Sequence, residues 1–144
     1  MHAHEIAPGE VYRDAAVCVT AIPVRHGAWK HAYAYRFDAT DKSIVISGDT
    51  TSANPSSTPP TAVTSWCTYS QRGGEARTPE WRRYHAAYHT SAIDLSKLAA
   101  KVQPKKLVLY HELPMGQPES EVLSEIRQTF TGEIIYRKDL DTIR

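Results

Sequence analysis

The first third of the chain carries short apolar runs of the kind that form β-strands. Apolar residues alternate with polar ones or cluster together in four runs, at residues 10–13, 15–25, 32–39 and 42–48. A tight turn around Thr40 and Asp41 is predicted to join the last two runs, because both residues favour turns and only they separate the runs. The N-terminal part is therefore predicted to be a succession of strands.

The second of these runs, AAVCVTAIPVR at 15–25, is apolar on both of its alternating faces. Val17, Val19 and Ala21 fall on one side of the predicted strand, and further apolar residues fall on the other. A strand with two apolar faces is normally covered on both. We therefore expect this strand to be buried on both faces.

The second half of the chain alternates between helical and strand-like patterns. Thr-Pro-Glu at 78–80 predicts a helix start with Thr78 as the N-cap, and this helix ends near His89. Ser91 is predicted to cap a second helix, which Pro104 stops. Pro118 is predicted to open a third helix. The apolar stripes of the second and third helices are formed by Leu95, Leu98, Ala99 and Val102, and by Val122, Ile126 and Phe130.

Two further strands lie between and after these helices. KLVLY at 106–110 is apolar on both sides and is predicted to end at His111, and EIIYR follows Gly132. Residues 51–77 differ, because Ser, Thr, Pro and Gly dominate and no helical period is sustained. We predict a polar irregular segment over 51–77, in which at most TAVTSWCTYS at 61–70 is a weak strand.

The elements predict a single α+β domain over residues 1–144, with a mixed sheet and helices on one face. Because several strands look apolar on both sides, the predicted helices leave the other face of the sheet uncovered. An exposed apolar face of that size is an interaction surface or an aggregation hazard. A second copy of the chain, or a missing partner domain, would cover it.

The composition narrows the class of protein. The formal net charge is +1, which gives no long-range attraction to nucleic acid or to a membrane surface. Cys18 and Cys67 form no CxxC pair, so a reduced chain is expected. No apolar run approaches the ~20 residues of a membrane span, and the N-terminus lacks the basic and apolar regions of a signal peptide. We expect a cytoplasmic location.

Four polar residues stand where chemistry could be placed. Asp49 and His111 each follow a strand, His26 follows the second run in the sequence VRHG, and His89 ends a helix. A carboxylate and imidazoles at one sheet edge suit zinc or another first-row metal. The alternatives remain open: an Asp after Gly is commonly a turn former, and a histidine at an element end is commonly structural.

The other histidines are weaker candidates. His2 and His4 form an HxH pair that could chelate a metal, but no strand precedes them. His31 and His85 are expected at the surface. Trp81 is expected in the core rather than in a substrate cleft.

Three stretches together resemble the second half of a metallo-β-lactamase-fold hydrolase. They are VTAIPVRHGAWKHAYAYRF, SIVISGDTT and YHTSAIDLSKLAAKVQPKKLVLYHEL. The closest pattern is the ribonuclease Z-like and arylsulfatase-like branch, and the resemblance covers residues 1–50 and 77–140. It implies one half of a four-layer αββα sandwich, whose bare sheet face would pair with a second copy of the chain in a homodimer.

The resemblance also implies roles for the candidate residues. Asp49 would bridge two metal ions, His111 would bind the second of them, and His89 would protonate the leaving group. His26 would line the site. The implied cofactor is zinc, with manganese or iron as alternatives, and the implied reaction is hydrolysis of phosphate or sulfate esters.

Two departures from the family pattern limit this expectation. The histidine motif HxHxDH, which supplies metal ligands in the first half of the fold, is absent from the sequence, and residues 51–76 match no expected element. We therefore expect a truncated member that is inactive or incomplete by itself. A non-catalytic homodimerising or protein-binding module is the alternative.

Overall fold

The structure is a computed structural model that describes residues 4–51, 63–136, 138 and 140–143, with the backbone alone for 63–67. Its elements in chain order are β1 (Gly9–Arg13), β2 (Val17–Pro23), β3 (Tyr33–Ala39), β4 (Ser43–Ile46), β5 (Val63–Tyr69), α1 (Gln71–Glu75), α2 (Pro79–Tyr88), β6 (Thr90–Ser91), α3 (Ala92–Val102), β7 (Lys106–Leu113), α4 (Glu119–Ile126) and β8 (Glu133–Tyr136).

The strands form one mixed sheet in the order β1-β2-β3-β4-β5-β7-β8, and the short β6 pairs with β5 beside this path. Neighbours from β1 to β4 are antiparallel. From β4 onward the pairs are parallel. Because the carboxyl ends of parallel strands meet at one edge of a sheet, residues that follow β4 and close β7 come to the same edge.

The predicted helix starts are confirmed. Thr78 caps α2 by accepting a hydrogen bond from the backbone N–H of Trp81, and Ser91 caps α3 by accepting one from Asp94. Pro118 precedes α4. These starts were predictable because a cap is a local interaction between a side chain and the next turn of backbone.

The core lies between α3, α4 and one face of β7. Its buried members are Ala92, Leu95, Ala99, Leu107, Leu109, Val122, Ile126 and Phe130. Burial of each large apolar side chain contributes about 1.5–3 kcal/mol to stability. This cluster covers one face of the sheet with helices, as the sequence predicted.

The face of the sheet opposite this core is described by alternate residues of β2, β3 and β4. The strand register places Val19 opposite Phe37 and Ala21 opposite Tyr35, and it continues the row to Ile44 and Ile46. These residues are not members of the core cluster, and Ile46 is 40% exposed. We name this apolar surface, formed by Val19, Ala21, Tyr35, Phe37, Ile44 and Ile46, the open face.

The expectation that the second run is buried on both faces is wrong for this single chain. Ala21 is buried, whereas Val17, Val19 and the remaining residues of β2 are half-buried or exposed. The side opposite the open face is mixed: Arg36 forms an ion pair with Asp38, at 2.5 Å, and Ser43 donates to the same carboxylate, but the buried Ala34 and Val45 lie on this side as well. β2, β3 and β4 are thus uncharged and apolar on the open face, whereas their opposite side combines polar and apolar residues.

Within the segment predicted to be irregular over 51–77, the structure confirms the weak strand predicted at 61–70 and adds a helix that was not predicted. Val63–Tyr69 forms β5, an interior strand paired with both β4 and β7, and Gln71–Glu75 forms α1. Residues 52–62 lie outside the described part of the chain. The strand was underestimated although Val, Thr, Trp and Tyr favour strands, because a Ser- and Pro-rich stretch precedes it and its pairing partners come from distant parts of the sequence.

None of the helices in the described part of the chain has the length and apolar character that a membrane span requires.

Candidate metal centre

Asp49 reaches the sheet edge through a turn at the end of β4. Ser47 is buried, and Gly48 takes a left-handed backbone conformation with φ of +60°. Glycine adopts this conformation without the steric cost that other residues meet. The turn ends the strand and presents Asp49 beyond it, with its side chain 36% exposed.

His111 is presented by an irregularity within β7. The sequence predicted that this strand ends at His111, but β7 continues to Leu113. The pairing of β7 with β5 shifts between Cys67 and Tyr69, and His111 has a φ of +50°. Such bulges re-aim a side chain out of the regular alternation, so the imidazole of His111 leaves the sheet near the end of the strand.

His89 lies at the junction between α2 and β6. Its backbone N–H still donates to the carbonyl of His85, at 2.8 Å, while its own backbone is already extended. The following two residues pair with β5 as β6. The end of α2 and the start of β6 together fix the position of the His89 side chain, which is only 11% exposed.

Asp49, His89 and His111 come together at this edge. Nε2 of His89 lies 3.7 Å from Oδ2 of Asp49, and Nε2 of His111 lies 3.8 Å from the same oxygen. Both distances exceed a hydrogen bond. Each residue offers one ligand atom, and the three atoms lie within 4.8 Å of one another.

This donor set fits a divalent metal ion. Two ligands bound at about 2.0–2.1 Å to a tetrahedral zinc ion stand about 3.4 Å apart, close to the two separations found here. Imidazole nitrogens with a carboxylate oxygen suit zinc and other first-row metals. His111 is 54% exposed and faces solvent together with Asp49, so further ligands could enter from that side.

Burial affects the protonation of the innermost member. It lowers the pKa of His89, and the Asp49 carboxylate opposes this by favouring the charged ring. A neutral imidazole is the form that binds a metal. Nδ1 of His89 is buried and has no hydrogen-bond partner among the described residues.

His26 stands beside the three residues rather than among them. Its ring centroid lies 5.9 Å from that of His89, and its Nδ1 is 2.8 Å from the backbone carbonyl of Tyr88. That hydrogen bond orients the ring against Tyr88, whose ring centroid is 5.0 Å away. His26 is therefore placed at the border of the site.

Buried threonines beside the candidate residues form a network that the sequence analysis missed. Thr90, which follows His89, donates to the carbonyl of Thr50, which follows Asp49, at 2.6 Å. Thr50 in turn donates to the carbonyl of Arg25, and Thr68 donates to that of Thr90. The available signal was a threonine directly after both Asp49 and His89.

The remaining aromatic and histidine predictions have mixed outcomes. His31 is exposed, as expected, but His85 is half-buried and stacks on Trp81 with ring centroids 3.6 Å apart. Burial lowers the pKa of His85. Trp81 is half-buried on α2 and lies outside the core cluster.

Similarity to known structures identifies the architecture. The chain aligns with the metallo-β-lactamase fold protein YhfI from Bacillus subtilis over 92% of its length, at 18% identity and a TM-score of 0.69, and covers 52% of that protein. It aligns with a diphosphatase of the PhnP family at 18% identity and a TM-score of 0.66 over 94% of its length, and covers 46% of that protein. A putative metal-dependent hydrolase from Parabacteroides distasonis aligns at 14% identity and a TM-score of 0.60 over 89% of the chain, which covers 54% of that protein.

The chain has one half of a metallo-β-lactamase fold. It spans about half the length of the solved structures that it matches. No protein-family profile matches the sequence, and no curated protein sequence matches it. The metallo-β-lactamase half-fold agrees with the resemblance found in the sequence, whereas the branch nearest to it remains a prediction.

The metallo-β-lactamase half-fold explains why the candidate residues are so far apart in sequence. Asp49 follows β4, His89 ends α2 and His111 lies near the end of β7, and the parallel pairing of β4, β5 and β7 gathers them at one edge. Their roles as ligands or as a proton donor remain predictions.

Proposed function

We propose that this chain provides one half of a metal-dependent hydrolase site for phosphate or sulfate esters and that a single copy is incomplete. The observation that supports the proposal is the group formed by Asp49, His89 and His111, whose ligand atoms lie within 4.8 Å of one another. The metallo-β-lactamase half-fold agrees with it. Zinc is the preferred ion, with manganese or iron as alternatives.

Each residue of the site has a proposed task. Asp49 and His111, the more exposed members, hold the ion from the side that faces solvent. His89, held in place by the end of α2, donates the proton that the leaving group needs. His26 lines the site. A bound ion would supply an activated water and stabilise charge that develops on the ester.

Phosphate esters are the preferred substrates. One fold neighbour is described as a diphosphatase and another as a putative metal-dependent hydrolase, and both share only the fold with this chain. Two protein donors for one ion, from Asp49 and His111, leave positions for substrate oxygens and for ligands from another polypeptide.

A second copy of the chain is the proposed cover of the open face. The positions on that face in β2, β3 and β4 carry no charged side chain, because Arg36 and Asp38 point to the opposite side of the sheet. An uncharged apolar surface can meet its own copy in a symmetric interface without like-charge repulsion. The chain also spans only about half the length of its fold neighbours.

Hydrolysis of bis(p-nitrophenyl) phosphate, measured with added zinc or manganese over a series of protein concentrations, tests the proposal. Turnover should appear only with metal, should rise as the dimer forms, and should be lost in Asp49→Asn. The exposed variant His31→Asn is the control and should retain turnover. Absence of metal-dependent turnover at every concentration would contradict the proposal.

A non-catalytic homodimerising or protein-binding module is the second candidate. The sequence lacks the HxHxDH motif, and the open face is apolar. This candidate predicts dimers that form equally well without metal and that hydrolyse no ester.

A further inference from the structure

The buried nitrogen of the His89 ring lacks the hydrogen-bond partner that its proposed task requires. Nε2 of this ring lies 3.7 Å from the Asp49 carboxylate, whereas Nδ1 is buried and bonded to no described residue. A neutral imidazole carries its proton on one nitrogen only. A ring that gives up its proton from Nε2 therefore keeps the other proton on Nδ1, and this buried N–H needs an acceptor.

His85, one turn earlier on α2, offers the matching atom. Its Nδ1 is also buried and has no hydrogen-bond partner within the described ranges of the chain. The ring centroids of His85 and His89 lie 5.4 Å apart, with an interplanar angle of 51°. Polar atoms that lie beyond direct hydrogen-bond reach of each other are commonly bridged by one ordered water molecule. The two rings therefore form a site for a single water.

Aromatic packing holds the His85 ring in place. The ring stacks on Trp81 with centroids 3.6 Å apart, and the rings of Tyr84 and Tyr69 lie 5.2 and 6.3 Å from it. The backbone carbonyl of His85 accepts the hydrogen bond from the N–H of His89, so the same helix end carries both rings. Burial lowers the pKa of His85 and so favours its neutral form, which has a nitrogen lone pair that can accept a hydrogen bond.

We propose that His85 is the positioning residue for His89 and that one ordered water joins Nδ1 of one ring to Nδ1 of the other. The water accepts a hydrogen bond from Nδ1–H of His89 and donates one to Nδ1 of His85, whose own proton is on Nε2. The proton that the leaving group receives is then the one on Nε2 of His89, and no proton passes to His85. The inference rests on the proposed function, because His89 is the proton donor there.

Long-range nitrogen–proton NMR spectra of the EDTA-treated chain, recorded at mildly alkaline pH, report the tautomer of His89 without metal or turnover. His85→Phe keeps an aromatic ring on Trp81 but removes the acceptor, so the His89 tautomer should shift from Nδ1–H toward Nε2–H. His85→Asn loses the ring but keeps an accepting oxygen near the position of Nδ1, so it should retain the wild-type tautomer. His31→Asn, at an exposed position, is the control and should leave the His89 signals unchanged.

An unchanged His89 tautomer in His85→Phe would overturn the inference. Equal shifts in His85→Phe and His85→Asn would overturn it as well, because they would show that packing alone sets the tautomer. A high-resolution crystal structure of the metal-free chain should show a water within hydrogen-bond reach of both Nδ1 atoms, and a structure without that water would also contradict the inference. A chain whose His89 tautomer follows these variants but that hydrolyses no ester would retain the inference and refute the proposed function.

Discussion

At the scale of single residues, the side chains around the site are held by contacts that the sequence only partly reveals. Asp49, His89 and His111 were predictable because each stands at the end of a recognisable element. The hydrogen bond from Thr90 to the carbonyl of Thr50 was not, because the two residues are 40 positions apart. The hydrogen bond between the threonines that follow Asp49 and His89 is visible only in the folded structure.

Replacing Thr90 by Val should loosen the site. Valine has nearly the same shape but cannot donate, so the buried hydrogen bond to Thr50 is lost, at a cost of about 1–3 kcal/mol in the free energy of unfolding. Zinc affinity should fall as well, because the bond joins the segments that carry Asp49 and His89. Thr131→Val, at an exposed position, is the control. Equal effects of the two variants in urea unfolding and zinc titration would contradict this role.

Gly27→Ala should destabilise the packing between Gly27 and the ring of Tyr88. Gly27 has a φ of +56°, and an added Cβ would lie 2.1 Å from the Tyr88 ring. Gly116 has a φ of +84° and open space around it, so alanine at this position measures the cost of the left-handed backbone without a clash. A left-handed alanine costs about 1–2 kcal/mol, so Gly116→Ala should lose roughly that much. Gly27→Ala should lose more, and a loss no larger than that of Gly116→Ala would show that Tyr88 moves away freely.

At the scale of elements, helices that begin with local caps were predictable, whereas the interior position of β5 in the sheet was not. The starts of α2 and α3 depend on Thr78 and Ser91, whose partners lie three residues away. β5 depends on pairing with β4 and β7 across long stretches of sequence. Its sequence VTSWCTY favours a strand but lacks the continuous apolar run that marks an interior strand.

The junction between β5 and α1 depends on a buried carboxylate from α4. Glu125 is fully buried and accepts hydrogen bonds from the backbone N–H groups of Gln71 and Arg72, both at 2.8 Å, and from the hydroxyl of Ser70. The first N–H groups of a helix otherwise lack partners. Glu125 thereby joins α4 to the chain that leaves β5.

Glu125→Gln should destabilise the protein by about 1.5–3 kcal/mol, because an amide N–H₂ would replace one of the accepting oxygens in a buried site. Glu75→Gln, at an exposed position of α1, should change the free energy of unfolding by less than about 0.5 kcal/mol. Chemical denaturation of both variants measures the difference. Equal stabilities would show that α1 does not need this carboxylate.

At the scale of the whole molecule, the open face of the half-fold follows from the alternation of residues along three strands. Alternate residues of β2, β3 and β4 are apolar on the side away from the Arg36–Asp38 ion pair. The sequence indicated an uncovered face because it showed more apolar strand surface than the helices could cover. What covers that face could not be predicted, because a partner leaves no mark on strand periodicity.

Phe37→Asp should convert the proposed dimer to monomers. A carboxylate placed in the centre of the open face would be buried without a partner in the interface, which strongly disfavours association. Thr40→Asp adds the same charge in the turn between β3 and β4 and should leave the dimer intact. Light scattering on both variants and the wild type gives the masses. A wild-type monomer at high concentration would remove the basis for a second copy as the cover.

The central claim is that Asp49 and His111 bind a metal ion beside His89, and titration of the purified chain with zinc tests it most directly. The account predicts one ion per chain, with binding lost or weakened at least about tenfold in Asp49→Asn and His111→Asn. His4→Asn, which disrupts the HxH pair near the N-terminus, should leave that ion bound. Zinc that binds Asp49→Asn as tightly as the wild type, or that is lost in His4→Asn instead, would contradict the account.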